Sequence, residues 1–197
     1  MVRVLAIADE VNGNLGPRAM RDLAPELVLS AGDLPWDFLE EVAAEVGVPV
    51  LYVPGNHDPA PDPNRRGPVG ATCVDGRVVV AAGVRVAGLG GCVRYRSGPY
   101  QYTQAEYADR VRRLRRAVTD ATPVDVVLTH APPRDLGDGP DGPHQGIDAL
   151  HDLLSDLAPT WLLHGHVHPY EGHRPDRVLG TTTVRNVVPW SLLEVSR

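Results

Sequence analysis

The chain has 197 residues, 43% of them hydrophobic and 22% charged, with a formal net charge of −6. That length supports one domain (1–197) with a substantial core. The acidic balance excludes the chain-wide basic field that draws proteins to nucleic acid.

The first apolar run, VRVLAIAD (2–9), ends in Asp9 and turns acidic too early for a secretion signal. Residues 17–24 form a weak helix candidate. A second run, ELVLSAGD (26–33), ends in Asp33, and 36–46 follows as a better helix. The third, VPVLYVPGNHD (48–58), carries Asn56 and His57 just beyond its apolar part. These runs are short and apolar on both faces, as central strands covered on both sides should be. PAPDPNRRGP (59–68) reads as a Pro-rich surface loop.

Residues 73–91 read as a hairpin, two β-branched runs about a Gly-containing turn. The loop that follows (90–104) holds Arg94, Arg96 and three tyrosines, and the two arginines are candidate phosphate contacts. Residues 103–119 predict a strong helix whose arginine-rich stretch reads as a solvated face. The run VDVVLTHAPP (124–133) contains His130, and His144 lies in the loop beyond it. A helix over 146–158 has Ile147, Leu150, Leu153, Leu154 and Leu157 at helical spacing. TWLLHGHVHP (160–169) brings His166 and His168, and the segment from Arg177 onward reads as antiparallel strands. Cys73 and Cys92 stand in no metal-ligand spacing and read as free thiols, and no run is long enough for a membrane span. A cytoplasmic location is expected.

Five strand candidates therefore end in residues that bind metals. In open α/β sheets the crevice beyond the carboxyl ends of the strands is where ligands bind. Neighbouring strands would gather Asp9, Asp33, Asn56, His57, His130, His166 and His168 into one such crevice. Taken singly, each is an ordinary turn or loop residue; five in succession at equivalent places are not. Carboxylate, amide and imidazole donors without thiolate favour Mn, Fe or Zn over a structural all-cysteine zinc.

Asp9, the GD of Gly32-Asp33, the GNHD of Gly55–Asp58, His130 and the GHVH of Gly165–His168 resemble the calcineurin-like metallophosphoesterases, in order and spacing, over nearly the whole chain. The resemblance implies a four-layer α/β/β/α sandwich of two mixed β-sheets flanked by helices, with two divalent metal ions at its edge. It assigns Asp9, Asp33 and His168 to a first ion and Asp33, Asn56, His130 and His166 to a second. It places His57 beside the leaving group. The implied activity is hydrolysis of a small phosphate ester, phosphodiester or nucleotide by metal-activated hydroxide; the alternative is a phosphate- or nucleotide-binding module with little turnover. Neither a membrane nor a nucleic acid is an expected partner.

One position departs from the pattern. The family's first motif is Asp-x-His, and here Val11 stands in the third place. The Asp9-side ion then keeps three protein ligands, which suffice in catalytic sites, or takes His144 as a substitute, or is weakly bound. Strand alternation sends Glu10 to the opposite face from Asp9.

Overall fold

The computed structural model describes residues 1–60, 62–64, 67–118, 122–169 and 175–196. His173 and parts of the 59–68 loop lie outside the described residues.

Three apolar runs become parallel neighbours, β1 (Val2–Ile7), β2 (Leu27–Ser30) and β3 (Val50–Tyr52), and β4 (Ala71–Cys73) extends them. Between the first three lie α1 (Pro17–Asp22) and α2 (Trp36–Val46), the latter closed by Gly47 at φ 67°. The expected hairpin is β5 (Val78–Ala81) and β6 (Val84–Leu89), with β4 given up to the first sheet. A short pair follows, β7 (Cys92–Val93) with β8 (Gln101–Tyr102). Then come α3 (Gln104–Ala117), β9 (Val126–Thr129), α4 (Ala149–Leu157) and β10 (Trp161–His164). The tail forms β11 (Arg177–Leu179), β12 (Thr182–Asn186) and β13 (Trp190–Val195).

The tail is antiparallel as expected, but its last strand changes sheets. β11 and β12 pair with each other, whereas β13 runs antiparallel along β1. The first sheet thus has the order β13-β1-β2-β3-β4 and the second β11-β12-β10-β9-β6-β5.

Period-two alternation in these strands builds the layers. Val2, Val4, Ala6 and Ala8 of the first strand and its end face Val84, Val86, Val126, Leu128 and Leu163 of the other sheet, all buried. The opposite parity, Leu5 and Ile7 with Val28 and Val50, packs on Met20, Leu39, Val42 and Val46 of α1 and α2. On the far side Ala87, Leu89, Val127 and Leu162 pack on Tyr107, Val111 and Leu114 of α3 and Leu150, Leu153 and Leu154 of α4. The result is the α/β/β/α sandwich. Ile147 is buried but precedes the helix, bridging Pro133 instead.

α3 also braces the loop that carries Asn56. Thr103 and Glu106 form a reciprocal capping box at its start. One turn in, the Tyr107 hydroxyl donates to Leu89 O at 3.1 Å, and Arg110 Nη2 meets Asp75 Oδ1 at 2.5 Å. Asp75 accepts from Gly90 N at 2.6 Å, and Gly91 N donates to Pro54 O at 2.8 Å, two residues before Asn56. Cys73 and Cys92 are free. No helix among the described residues is long and apolar enough to cross a membrane.

Candidate metal centre

Asp9, Asp33, Asn56, His130 and His166 all lie just past the carboxyl ends of parallel strands. Three of them hold backbone conformations that L-residues rarely adopt: φ is 63° at Asp9, 57° at Asp33 and 70° at His166. Each costs about 1–3 kcal/mol and persists only where the surroundings over-determine it, so such strain gathers at functional sites. Here the surroundings are the apolar layers beneath and a set of bonds that cross between the sheets. His166 N donates to Asp9 Oδ2 at 2.9 Å, and the His130 ring, through Nδ1, donates to Ala31 O at 2.7 Å.

The motif glycines permit the close approach. A Cβ on Gly55 would collide with Asp33 Oδ1 and lie 2.6 Å from His130 Cε1. One on Gly165 would collide with Asp9 Oδ2 and lie 2.8 Å from the Ala8 Cβ. Asp58 Oδ2 accepts from Asp33 N at 2.9 Å and Gly55 N at 2.6 Å, tying the GD and GNHD loops together. Burial raises its pKa, against the lowering effect of those two bonds.

At the centre, ligand atoms of Asp33, His130 and His166 lie within 4.8 Å of one another. His130 Nε2 is 3.0 Å from Asn56 Oδ1 and 3.3 Å from Asp33 Oδ2. Asp33 Oδ1 accepts from His57 N at 2.7 Å. His166 Nε2 donates to Pro143 O at 2.8 Å. Both imidazoles are thus fixed through one nitrogen by a backbone carbonyl, leaving the other as the donor atom, a common arrangement around metal-binding histidines. His168 stands on the Asp9 side, its Nε2 3.9 Å from Asp9 Oδ1. Carboxylate, amide oxygen and imidazole suit a hard or borderline divalent ion.

The electrostatics of the two histidines differ. Burial alone would push the His130 imidazolium down, but the adjacent Asp33 carboxylate, its hydrogen bond and Asp9 lift the pKa to about 9. His166 is pushed down to about 3 by burial and the neighbouring His130 charge. Burial raises Asp9 to about 6 despite His130. For Asp33, burial is outweighed by His130 and the His57 amide, and its pKa is lowered.

A family model described as calcineurin-like phosphoesterase matches residues 5–170. The chain belongs to that family. Among solved structures similar to this calcineurin-like phosphoesterase, one crystal structure superposes with a TM-score of 0.69 at 17% identity, over 98% of this chain and 97% of that one. The crystal structure of TT1561 of Thermus thermophilus gives a TM-score of 0.63 at 19% identity, over 94% and 88% of the two chains. At such identities the likeness is one of fold. No curated protein matches the sequence.

The remaining sequence candidates divide. Arg96 reaches the site, its Nη2 3.5 Å from His57 Nδ1. Arg94 is turned away, bonded to Gln101 O at 3.1 Å and Glu106 Oε2 at 2.9 Å. Tyr95, in the same loop, accepts from Asn56 Nδ2 at 3.2 Å, a contact that only the fold reveals. His144 ends the turn Gly142–His144 beside His166, with ring centroids 5.4 Å apart, and its Nδ1 is bonded to Asp141. His164 is buried, as its depth in the strand suggests, and His151 bonds Arg134 O at 2.8 Å. The strand ends at His164, and beyond it the chain bends, with Val167 N donating back to Gly165 O at 2.9 Å across His166. Val11 is 50% exposed.

Proposed function

We propose that this family member hydrolyses a small phosphate monoester, phosphodiester or nucleotide in the cytoplasm, using two divalent ions drawn from Mn, Fe and Zn. Asp9, Asp33 and His168 would hold one ion, and Asp33, Asn56, His130 and His166 the other. The observation that carries this reading is the convergence of Asp33, His130 and His166 within 4.8 Å. Bound divalent ions supply Lewis acidity and a water of lowered pKa.

The chain's own residues do the rest. Asp33 bridges the two halves of the site and keeps its charge because its pKa is lowered. Arg96 offers a guanidinium to phosphate oxygens. In its contact with His57, Arg96 can only donate, so His57 Nδ1 accepts and the proton sits on Nε2. That N–H can then donate a hydrogen bond that stabilises the charge developing on the departing oxygen. The test is hydrolysis of an aryl phosphodiester by the purified protein with added Mn. His57→Ala is expected to lower kcat about a hundredfold while metal binding is retained. No turnover of monoester or diester with any of the three metals would sink the enzymatic reading and leave the binding-module alternative.

Metal binding is coupled to a proton. With a pKa of about 9, His130 carries a proton on Nε2, shared with the very oxygens of Asp33 and Asn56 that would face an ion. Ligation requires the neutral ring. Around pH 7, Mn uptake at this side should release about one proton per ion. Its affinity should climb as pH rises toward 9 and flatten beyond it. Calorimetry in two buffers of different ionisation enthalpy reads the proton count; zero released protons would contradict the assignment of His130.

A further inference from the structure

The first strand ends in a bend that strand alternation does not foresee. Glu10 N donates to Ala8 O at 2.6 Å across Asp9, whose φ is 63°. This is a γ-turn of the rare, strained positive-φ form. A continued strand would point Glu10 away from Asp9's face. The turn cancels that alternation, and Glu10 Oε1 lies 2.7 Å from His168 Nδ1. Val11, which has no donor atom to offer, is left facing solvent.

Because an ionised carboxylate only accepts, His168 Nδ1 carries the proton in this pair. Nε2 is then the ring's ligating atom, on the side where Asp9 Oδ1 lies 3.9 Å away. Of the three imidazoles assigned to ions, His130 and His166 are steadied by backbone carbonyls, whereas His168 is steadied by a carboxylate. A carboxylate in that position fixes the tautomer and ring orientation and makes the opposite nitrogen more basic. The pair is half-exposed, with side-chain exposures of 49% for Glu10 and 32% for His168, so it contributes little to folding. Its geometry serves the Asp9 side of the centre.

We propose that Glu10 is a positioning residue for His168, ordering the Asp9 side of the metal centre where Val11 contributes nothing. The proposal rests on the two-ion reading above. Its test is Mn binding to the native protein, Glu10→Ala and Glu10→Gln by calorimetry, with nitrogen NMR of the His168 ring. The native protein should show a tighter and a weaker class of site. Glu10→Ala should weaken the weaker class about 10–100-fold, leave the tighter class within about twofold, and mix the two His168 tautomers. Glu10→Gln, whose amide oxygen still accepts from Nδ1–H, should fall between. Thermal stability without metal should be unchanged in both variants.

A single binding class in the native protein would overturn the proposal. So would Glu10→Ala affinities equal to native, or an equal loss in both classes. Turnover of the aryl phosphodiester is scored separately. Glu10-dependent binding without turnover would remove the phosphoesterase reading alone; turnover with Glu10-independent binding would remove this proposal alone.

Discussion

Asp33→Ala should lower Mn-dependent phosphodiester hydrolysis by about a thousandfold or more and reduce the number of ions bound. Asp33 is the carboxylate that meets both halves of the site, with one oxygen on the His57 amide and the other on the His130 ring. Its loss also removes the anion that keeps His130 protonated, so the buried ring should become neutral. The apolar layers do not depend on it, so the variant should remain folded. Metal analysis together with kcat/KM checks the expectation; native-like turnover with full metal content would refute it.

Gly55→Ala, a single methyl, should cost on the order of a hundredfold in rate. The new Cβ would collide with Asp33 Oδ1 and lie 2.6 Å from His130 Cε1. Asp33 cannot simply swing aside, because that oxygen holds the His57 amide and the Asp33 backbone is tied to Asp58. The methyl therefore displaces the carboxylate, the imidazole or the GNHD loop, and a misplacement of about 1 Å in such a constellation can have an effect of that size. Overpacking should lower folding stability by only about 1–3 kcal/mol. Urea denaturation beside kcat/KM separates the two effects. A variant with native activity would show that the approach of Gly55 to Asp33 is not required.

Much of this was legible beforehand because strand ends and motif glycines leave strong local signals. The five runs became strands, and Asp33, Asn56, His130 and His166 fell where the runs end. What periodicity missed lies where periodicity stops. Alternation sends Glu10 to the wrong face because it assumes an unbroken strand, and the γ-turn at Asp9 breaks it. Asp58 follows His57 directly, yet its carboxylate bonds the backbone of two different loops, a partnership set by tertiary folding. Arg94 and Arg96 are two residues apart and alike in chemistry. The capping-box Glu106 and the Gln101 carbonyl tie one down, while the other reaches His57. The sheet exchange of β13 is likewise invisible locally, since its alternation suits either sheet.

The bonds that cross the sheets join residues far apart in the chain: His166 to Asp9 spans 157 positions, and His130 to Ala31 spans 99. An ion held by Asp33 from one sheet and His130 and His166 from the other would close the same long loops with a stronger tie. It would act as a reversible cross-link between the amino-terminal and carboxyl-terminal halves. A ligand that binds only the folded chain stabilises it by mass action, so supply of such an ion would govern how long the sandwich survives. Depletion of such an ion would then loosen the tie between the two halves of the chain.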